Sequence, residues 1–220
     1  MEWYWLQITD HVGYPQPEDD YAELTYDFQN GCPTCEIGKK QKVPFRFRSE
    51  PKSANRQFFA LYWVHDEFFV HNVVKTGFRK RRITGVRFTK PVKHRTGEPL
   101  ESIYQMNVKT VLPRKAVDVS KLMAEKCEMP KDRGMVKFLR AVGCRLEGPW
   151  CGRIKYNFPE KGGLCVKRSV LQSQPDIVKT YEWFGSGGAA GRPILVSAKV
   201  KRLIEQEQWR GVKLIPVTLK

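Results

Sequence analysis

Two stretches of the chain carry the same order of apolar and polar positions. FFVHNVVKTGFRKRRITGVRFTKPV (68–92) and ILVSAKVKRLIEQEQWRGVKLIPV (194–217) align at one constant offset from Val70/Val196 to Thr89/Ile215. The first then has one extra residue, Lys90. Self-similarity of this kind points to a unit used twice. Val70 and Val196 end a short apolar strand, and His71–Asn72 and Ser197 fall where a helix N-cap belongs. Val74 and Phe78 match Val200 and Ile204, spaced to share one helix face. Gly85 and Gly211 follow the helix, where a left-handed residue ends it. Val86–Phe88 and Val212–Leu214 then alternate as half-buried strands, closed by Pro91–Val92 and Pro216–Val217.

Outside the two units, the alternating or apolar runs Trp3–Ile8, Lys42–Arg48, Phe58–Val64 and Ser102–Leu112 predict strands. Residues 113–135 read as a polar connector with a short helix over Val117–Lys126, and Gly134–Val142 predicts another helix. The expectation is an α+β fold with mixed, mainly antiparallel sheets, two strand–helix–strand units and a cysteine-rich, zinc-knuckle-like corner. The halves fall at 1–112 and 113–220. The pattern leaves open whether the two units share one sheet.

With 41% apolar residues, the chain has material for a packed core. No apolar run approaches the length of a membrane span. The N-terminal MEWYWLQITD lacks the basic region and cleavage site of a signal peptide, so a cytoplasmic protein is expected. The net charge is +16, yet residues 1–30 hold seven carboxylates and neither Lys nor Arg. The rest is therefore more basic than the total suggests, a field that attracts anionic partners. Within the paired units, Arg79, Lys80, Arg81 and Arg82 form a cationic run that the second unit lacks. Folding the unit thus does not require that run. With Arg46 and Arg48, which alternate with Phe45 and Phe47, these residues are candidates for anion or nucleic-acid contact. The plainer reading makes them the wet face of a sheet and a solvated helix end.

Six cysteines are present, and without a secretory signal disulfides are not expected. Cys32-Pro-Thr-Cys35 lies on a turn, where two thiolates point at one metal ion. A second pair is available in Cys144 and Cys151, six residues apart in GCRLEGPWCG, giving a candidate structural zinc site on Cys32, Cys35, Cys144 and Cys151. Small apolar fillers and a redox pair are the competing readings. Cys127 and Cys165 are assigned to packing.

The Cys32–Cys35 turn, together with Arg192-Pro-Ile-Leu-Val-Ser197, Val200-Lys201, Gly211-Val212 and Pro216-Val217, resembles bacterial double-CXXCG-motif immunity proteins of toxin–immunity pairs. It is also similar to uncharacterised bacterial proteins with the same C-terminal unit. The first pair here is followed by Glu36 instead of Gly, and the second is spaced wider than CxxC. The resemblance implies a protein that binds and neutralises a cognate toxin.

Enzymatic motifs are missing. The glycine-rich Gly185–Gly191 precedes a strand where a phosphate loop would follow one. The four histidines form no metal-ligand or nucleophile motif. Trp183, Phe184 and Arg192, beside the glycine loop, are candidates for an interface. The reading is a non-enzymatic protein-binding module, with a basic nucleic-acid-binding protein as the alternative. The oligomeric state is not legible.

Overall fold

A computed structural model of the chain describes residues 1–51, 55–129, 131–141, 148–160, 162–186 and 189–220. The first part contains β1 (Trp3–Ile8), the short helix α1 (Tyr21–Thr25), β2 (Tyr26–Asp27), β3 (Lys40–Gln41), β4 (Arg46–Phe47) and β5 (Phe58–Phe59). Next come β6 (Phe69–His71), α2 (Asn72–Lys80), β7 (Val86–Thr89), β8 (Val92–Lys93) and β9 (Ile103–Val108). The remainder holds β10 (Ala124–Lys126), α3 (Arg133–Ala141), β11 (Ile154–Tyr156), β12 (Cys165–Val166) and α4 (Arg168–Leu171). It ends with β13 (Ile177–Lys179), β14 (Ile194–Ser197), α5 (Ala198–Gln206), β15 (Val212–Pro216) and β16 (Thr218–Leu219). The fold is mixed α+β with mostly antiparallel pairing.

Two four-stranded sheets dominate, with orders β5-β6-β9-β7 and β13-β14-β1-β15. Each places a strand from elsewhere in the chain between the two strands that flank a helix. In the first sheet that central strand is β9; in the second it is β1, which reaches across from the N-terminus. The registers correspond. Tyr104 lies opposite Val70 and Met106 opposite Phe88, as Tyr4 lies opposite Val196 and Leu6 opposite Leu214. The two sheets also clasp each other. The Phe58 N–H donates to the Arg210 carbonyl at 3.1 Å, and the Ile177 N–H donates to the Thr84 carbonyl at 3.2 Å. The outer strand of each sheet is thereby tied to the turn that follows the other sheet's helix.

That clasp explains the two turn glycines. Gly85 (φ +90°) and Gly211 (φ +91°) sit in the left-handed region, and a Cβ on either would collide with the carbonyl oxygen of Ile177 or Phe58, respectively. Gly211→Ala should cost about 2–3 kcal/mol, because left-handed strain and backbone collision add. Gly97→Ala, with φ +72° but open space around it, should cost only about 1–2 kcal/mol. Urea denaturation of both variants measures the difference.

Helices α2 and α5 bury their apolar stripes in one core shared by the two sheets. Val74, Phe78, Val200, Leu203 and Ile204 pack there with Phe58, Ile177 and Trp209. Burying each such side chain contributes about 1.5–3 kcal/mol. Two further apolar cores lie around Trp5, Val166 and Phe184 and around Phe45, Phe59 and Phe69.

Several sequence expectations need correction. Over Val117–Lys126 there is no helix: Val117 bridges Val166, and Ala124–Lys126 is a strand. Between them, Asp118 accepts hydrogen bonds from the Ser120 amide and hydroxyl, a local side-chain turn that competes with helix. Of Lys42–Arg48 only Arg46–Phe47 is strand, and of Phe58–Val64 only Phe58–Phe59, because the chain turns at Trp63 with φ 62°. The helix expected at Gly134–Val142 spans Arg133–Ala141, and residue 142 lies outside the described residues. His71 and Ser197 occupy the N-cap positions, but neither side chain makes a capping bond. The Ser197 hydroxyl donates to Asp176 instead, at 3.0 Å.

Candidate metal centre

The turn that begins at Gly31 folds back tightly on itself. The Cys32 N–H donates to the Ile37 carbonyl (3.1 Å) and the Glu36 N–H to the Cys32 carbonyl (2.7 Å). Glu36 (φ 59°) and Gly38 (φ 86°) take left-handed conformations that close the loop. Opposite it, β10 pairs with β11, and the ladder runs on past the strands. The Cys127 N–H donates to the Arg153 carbonyl, and the Gly152 N–H donates to the Cys127 carbonyl, each at 2.9 Å. Cys127 and Cys151 therefore face the turn from the end of a two-stranded ribbon. Arg153 straps the two pieces together, donating to the carbonyls of Ile37 and Asn30.

The sulfurs of Cys32, Cys35, Cys127 and Cys151 all lie within 4.8 Å of one another. Cys32 and Cys127 are 3.8 Å apart and Cys35 and Cys151 3.6 Å. These thiols are free, and the separations are far longer than the ~2.05 Å of a disulfide. A tetrahedral ion with metal–sulfur bonds of about 2.3 Å needs sulfurs roughly 3.8 Å apart. The four cysteines can thus hold a metal ion with little movement. Cys32, Cys35 and Cys127 are buried, with Ile37, Ala190, Trp150 and Trp183 packed around them.

Burial pushes the Cys32 thiol up, but hydrogen bonds from the Cys35 and Thr34 amides and from the Cys151 and Cys35 thiols together bring it down to about 7. Burial and the neighbouring sulfurs raise Cys35, against the Ile37 amide. Cys127 is likewise raised, first by burial. Amides aimed at sulfur, with several sulfurs crowded together, suit a cation at the centre. A metal ion held by four protein donors with no open position has the coordination of a structural site.

Three of the four cysteines expected from the sequence come together. Cys32, Cys35 and Cys151 converge; Cys144 lies outside the described residues. Cys127, assigned to packing, supplies the fourth sulfur. It was missed because Cys127 and Cys151 are far apart in the chain and are joined only by the β10–β11 ladder. Cys165 stays outside the cluster, on β12.

Arg79 and Lys80 occupy the last turn of α2, Arg81 caps it, and Arg82 follows with φ 51°. All four are exposed, and none has an ion-pair partner among the described residues. Cations there also complement the helix dipole. Arg46, on β4, is half-buried and Arg48, just after it, is exposed, while Phe45 and Phe47 are buried. Those rings are closed to base stacking, and the alternation is that of a strand with one wet face. Phe184 is buried in a core, stacked on Phe158, so it offers no contact surface. Trp183 and Arg192 do come together, the guanidinium 4.6 Å from the ring centroid.

Arg192 belongs to a second network that sequence reasoning did not single out. Asp66, at the left-handed end of the loop before β6, pairs with Lys179 of β13 at 3.1 Å and with Arg192 at 3.1 Å. The Arg192 N–H also donates to Asp66, at 2.8 Å. Burial opposes ionisation of Asp66, but the two cations and this amide hold its carboxyl below the usual range. From Asp66, contacts run through Arg192 and Trp183 to the cysteine cluster.

No family model matches the chain, and no curated protein matches it in sequence. Among the described residues, no helix is long and apolar enough to cross a membrane.

Proposed function

We propose that this protein is a non-enzymatic protein-binding module, an immunity protein that neutralises a cognate bacterial toxin in the cytoplasm. A structural Zn²⁺ on Cys32, Cys35, Cys127 and Cys151 stiffens it. The observation that carries the reading is the closed four-sulfur cluster. It supports a paired-cysteine scaffold of the kind the resemblance implies, and all-sulfur tetrahedral donors favour Zn²⁺. The matching order and register of the two four-stranded sheets support two copies of one strand–helix–strand unit that have exchanged central strands.

A nucleic-acid-binding role is the second reading, and the unpaired cationic run Arg79–Arg82 favours it. One experiment separates the two: affinity purification from the native cell after nuclease treatment, with zinc measured in the eluate. A stoichiometric protein partner that resists high salt is the expected result. Recovery of nucleic acid alone, released by salt and lost with Arg79→Glu/Arg81→Glu, would replace the first reading with the second.

A further inference from the structure

A cleft of about 760 Å³ opens beside the cysteine cluster, between the knuckle turn, the β11 ribbon and the Val111–Val119 segment. Its size is that of a small-molecule site. Glu182 lines it and is only 8% exposed. One carboxylate oxygen of Glu182 accepts from the Lys115 N–H at 2.7 Å. The other, Oε2, is buried and has no partner among the described residues. A buried acceptor in that state costs about 1–3 kcal/mol, more if ionised, and calls for a donor from elsewhere.

The rest of the lining restricts that donor. Arg114 and Lys115 border the cleft, are exposed, and have no ion-pair partner among the described residues. Arg153 and Arg192 also line it, but their guanidinium groups are engaged with backbone carbonyls and with Asp66. A lysine or arginine side chain reaching for Glu182 would meet this cationic border. Tyr156, Tyr181 and Trp183 add aromatic surface, and Tyr181 is 49% exposed. The fitting ligand is anionic at one end, flat and aromatic in its body, and carries an N–H donor.

We propose that this cleft binds a mononucleotide whose base bears an exocyclic amino group. A turn of the Glu182 side chain brings its unpartnered oxygen from beneath the cleft wall to the amino group, which donates to it; the base lies against the tyrosines and Trp183, and the phosphate meets Arg114 and Lys115. Aromatic surface suits every base, and charge-assisted bonds hold the phosphate. This site is independent of the toxin-binding reading and of the Arg79–Arg82 run.

The test is calorimetric titration of the full chain with AMP, GMP and CMP, and with ribose 5-phosphate and inorganic phosphate as probes of the anion end alone. At least one nucleotide should saturate with a Kd below about 1 mM, and ribose 5-phosphate should bind at least ~10-fold more weakly. Glu182→Gln, which keeps the side-chain shape, should weaken the nucleotide about 10-fold and leave ribose 5-phosphate unchanged. Arg114→Ala should weaken both. Each variant's thermal midpoint is measured first; if Glu182→Gln does not fold, Arg114→Ala and the ligand series decide alone. No saturation by any of the three nucleotides overturns the proposal. So does equal binding of ribose 5-phosphate, which would leave a plain phosphate site.

Discussion

Cys35→Ser is expected to abolish the zinc binding proposed for the cysteine cluster and unfold that corner of the protein while the main core survives. Cys35 is 2% exposed and sits on the knuckle turn, with its sulfur 3.6 Å from that of Cys151. A serine hydroxyl is a poor ligand for Zn²⁺, and three remaining thiols leave an open position. With the cluster loaded as proposed, the corner would depend on the ion, because its two pieces, the turn and the β10–β11 ribbon, share little apolar packing. The cysteines themselves make up most of the buried residues there, with Ile37 and Ala190. Structural zinc contributes about 10–16 kcal/mol in isolated zinc-finger peptides. In this chain a smaller share reaches global stability, because the core around Phe58, Phe78 and Trp209 does not touch the site. The expected readings are about one zinc per chain in the native protein and almost none in the variant. The thermal midpoint should fall by roughly 10–20 °C, corresponding to about 5 kcal/mol for a chain of this length. Amide exchange should rise over residues 30–40 and 124–127 and stay low in β6, β9 and β14. A chelator on the native protein should reproduce this pattern, and Cys165→Ser should not. Native protein that is free of metal yet protected over residues 30–40 would rule out the structural role.

What was legible from sequence follows the range of the forces involved. The helices α2 and α5 and the strand after each could be read because their signals are local: Val74 and Phe78 one turn apart, then Gly85 where the backbone must go left-handed. Trp3–Ile8 was legible as a strand by alternation, but its place between β14 and β15 was not. Nothing in WYWLQI states that its partners lie nearly two hundred residues away. The same limit hid Cys127, whose partner Cys151 is brought near only by the ladder between Ala124–Lys126 and Ile154–Tyr156. The expected helix over Val117–Lys126 failed for a local reason. Composition suggested helix, while the Asp118 carboxylate captured the Ser120 N–H and hydroxyl and turned the chain. Asp66 was hidden in His65-Asp66-Glu67, which looks like an ordinary solvated loop. Only the fold shows that Lys179, in an otherwise apolar strand, needs that carboxylate.

Asp66→Asn should therefore be among the most destabilising single-atom changes available in the protein. Asn tolerates the left-handed backbone at this position (φ 68°) and can still accept from the Arg192 N–H. What it removes is the negative charge opposite Lys179, whose side chain is 8% exposed. Breaking one side of such a pair leaves a buried charge uncompensated and costs about 3–5 kcal/mol. Arg192, at 24% exposure, can turn toward water; Lys179 has less freedom to do so. Adding Lys179→Met to Asp66→Asn should then recover most of the loss, because an apolar side chain suits the site better than a buried ammonium left with the Asp66 backbone carbonyl and no paired carboxylate there. The pH dependence has a definite sign. The Asp66 carboxyl is depressed in the folded state, so its contribution is present above the unfolded value of about 3.9 and is lost as pH falls through the lower folded value. The gap between native and Asp66→Asn protein should be full at neutral pH and narrow only below about pH 4. Neighbouring Glu67 is shifted the other way by burial, so the difference between the two proteins, and not the native curve alone, carries the signal. A gap that is unchanged from pH 7 to pH 3, or a double variant no more stable than Asp66→Asn, would mean that the loop is held by packing and not by this ion pair.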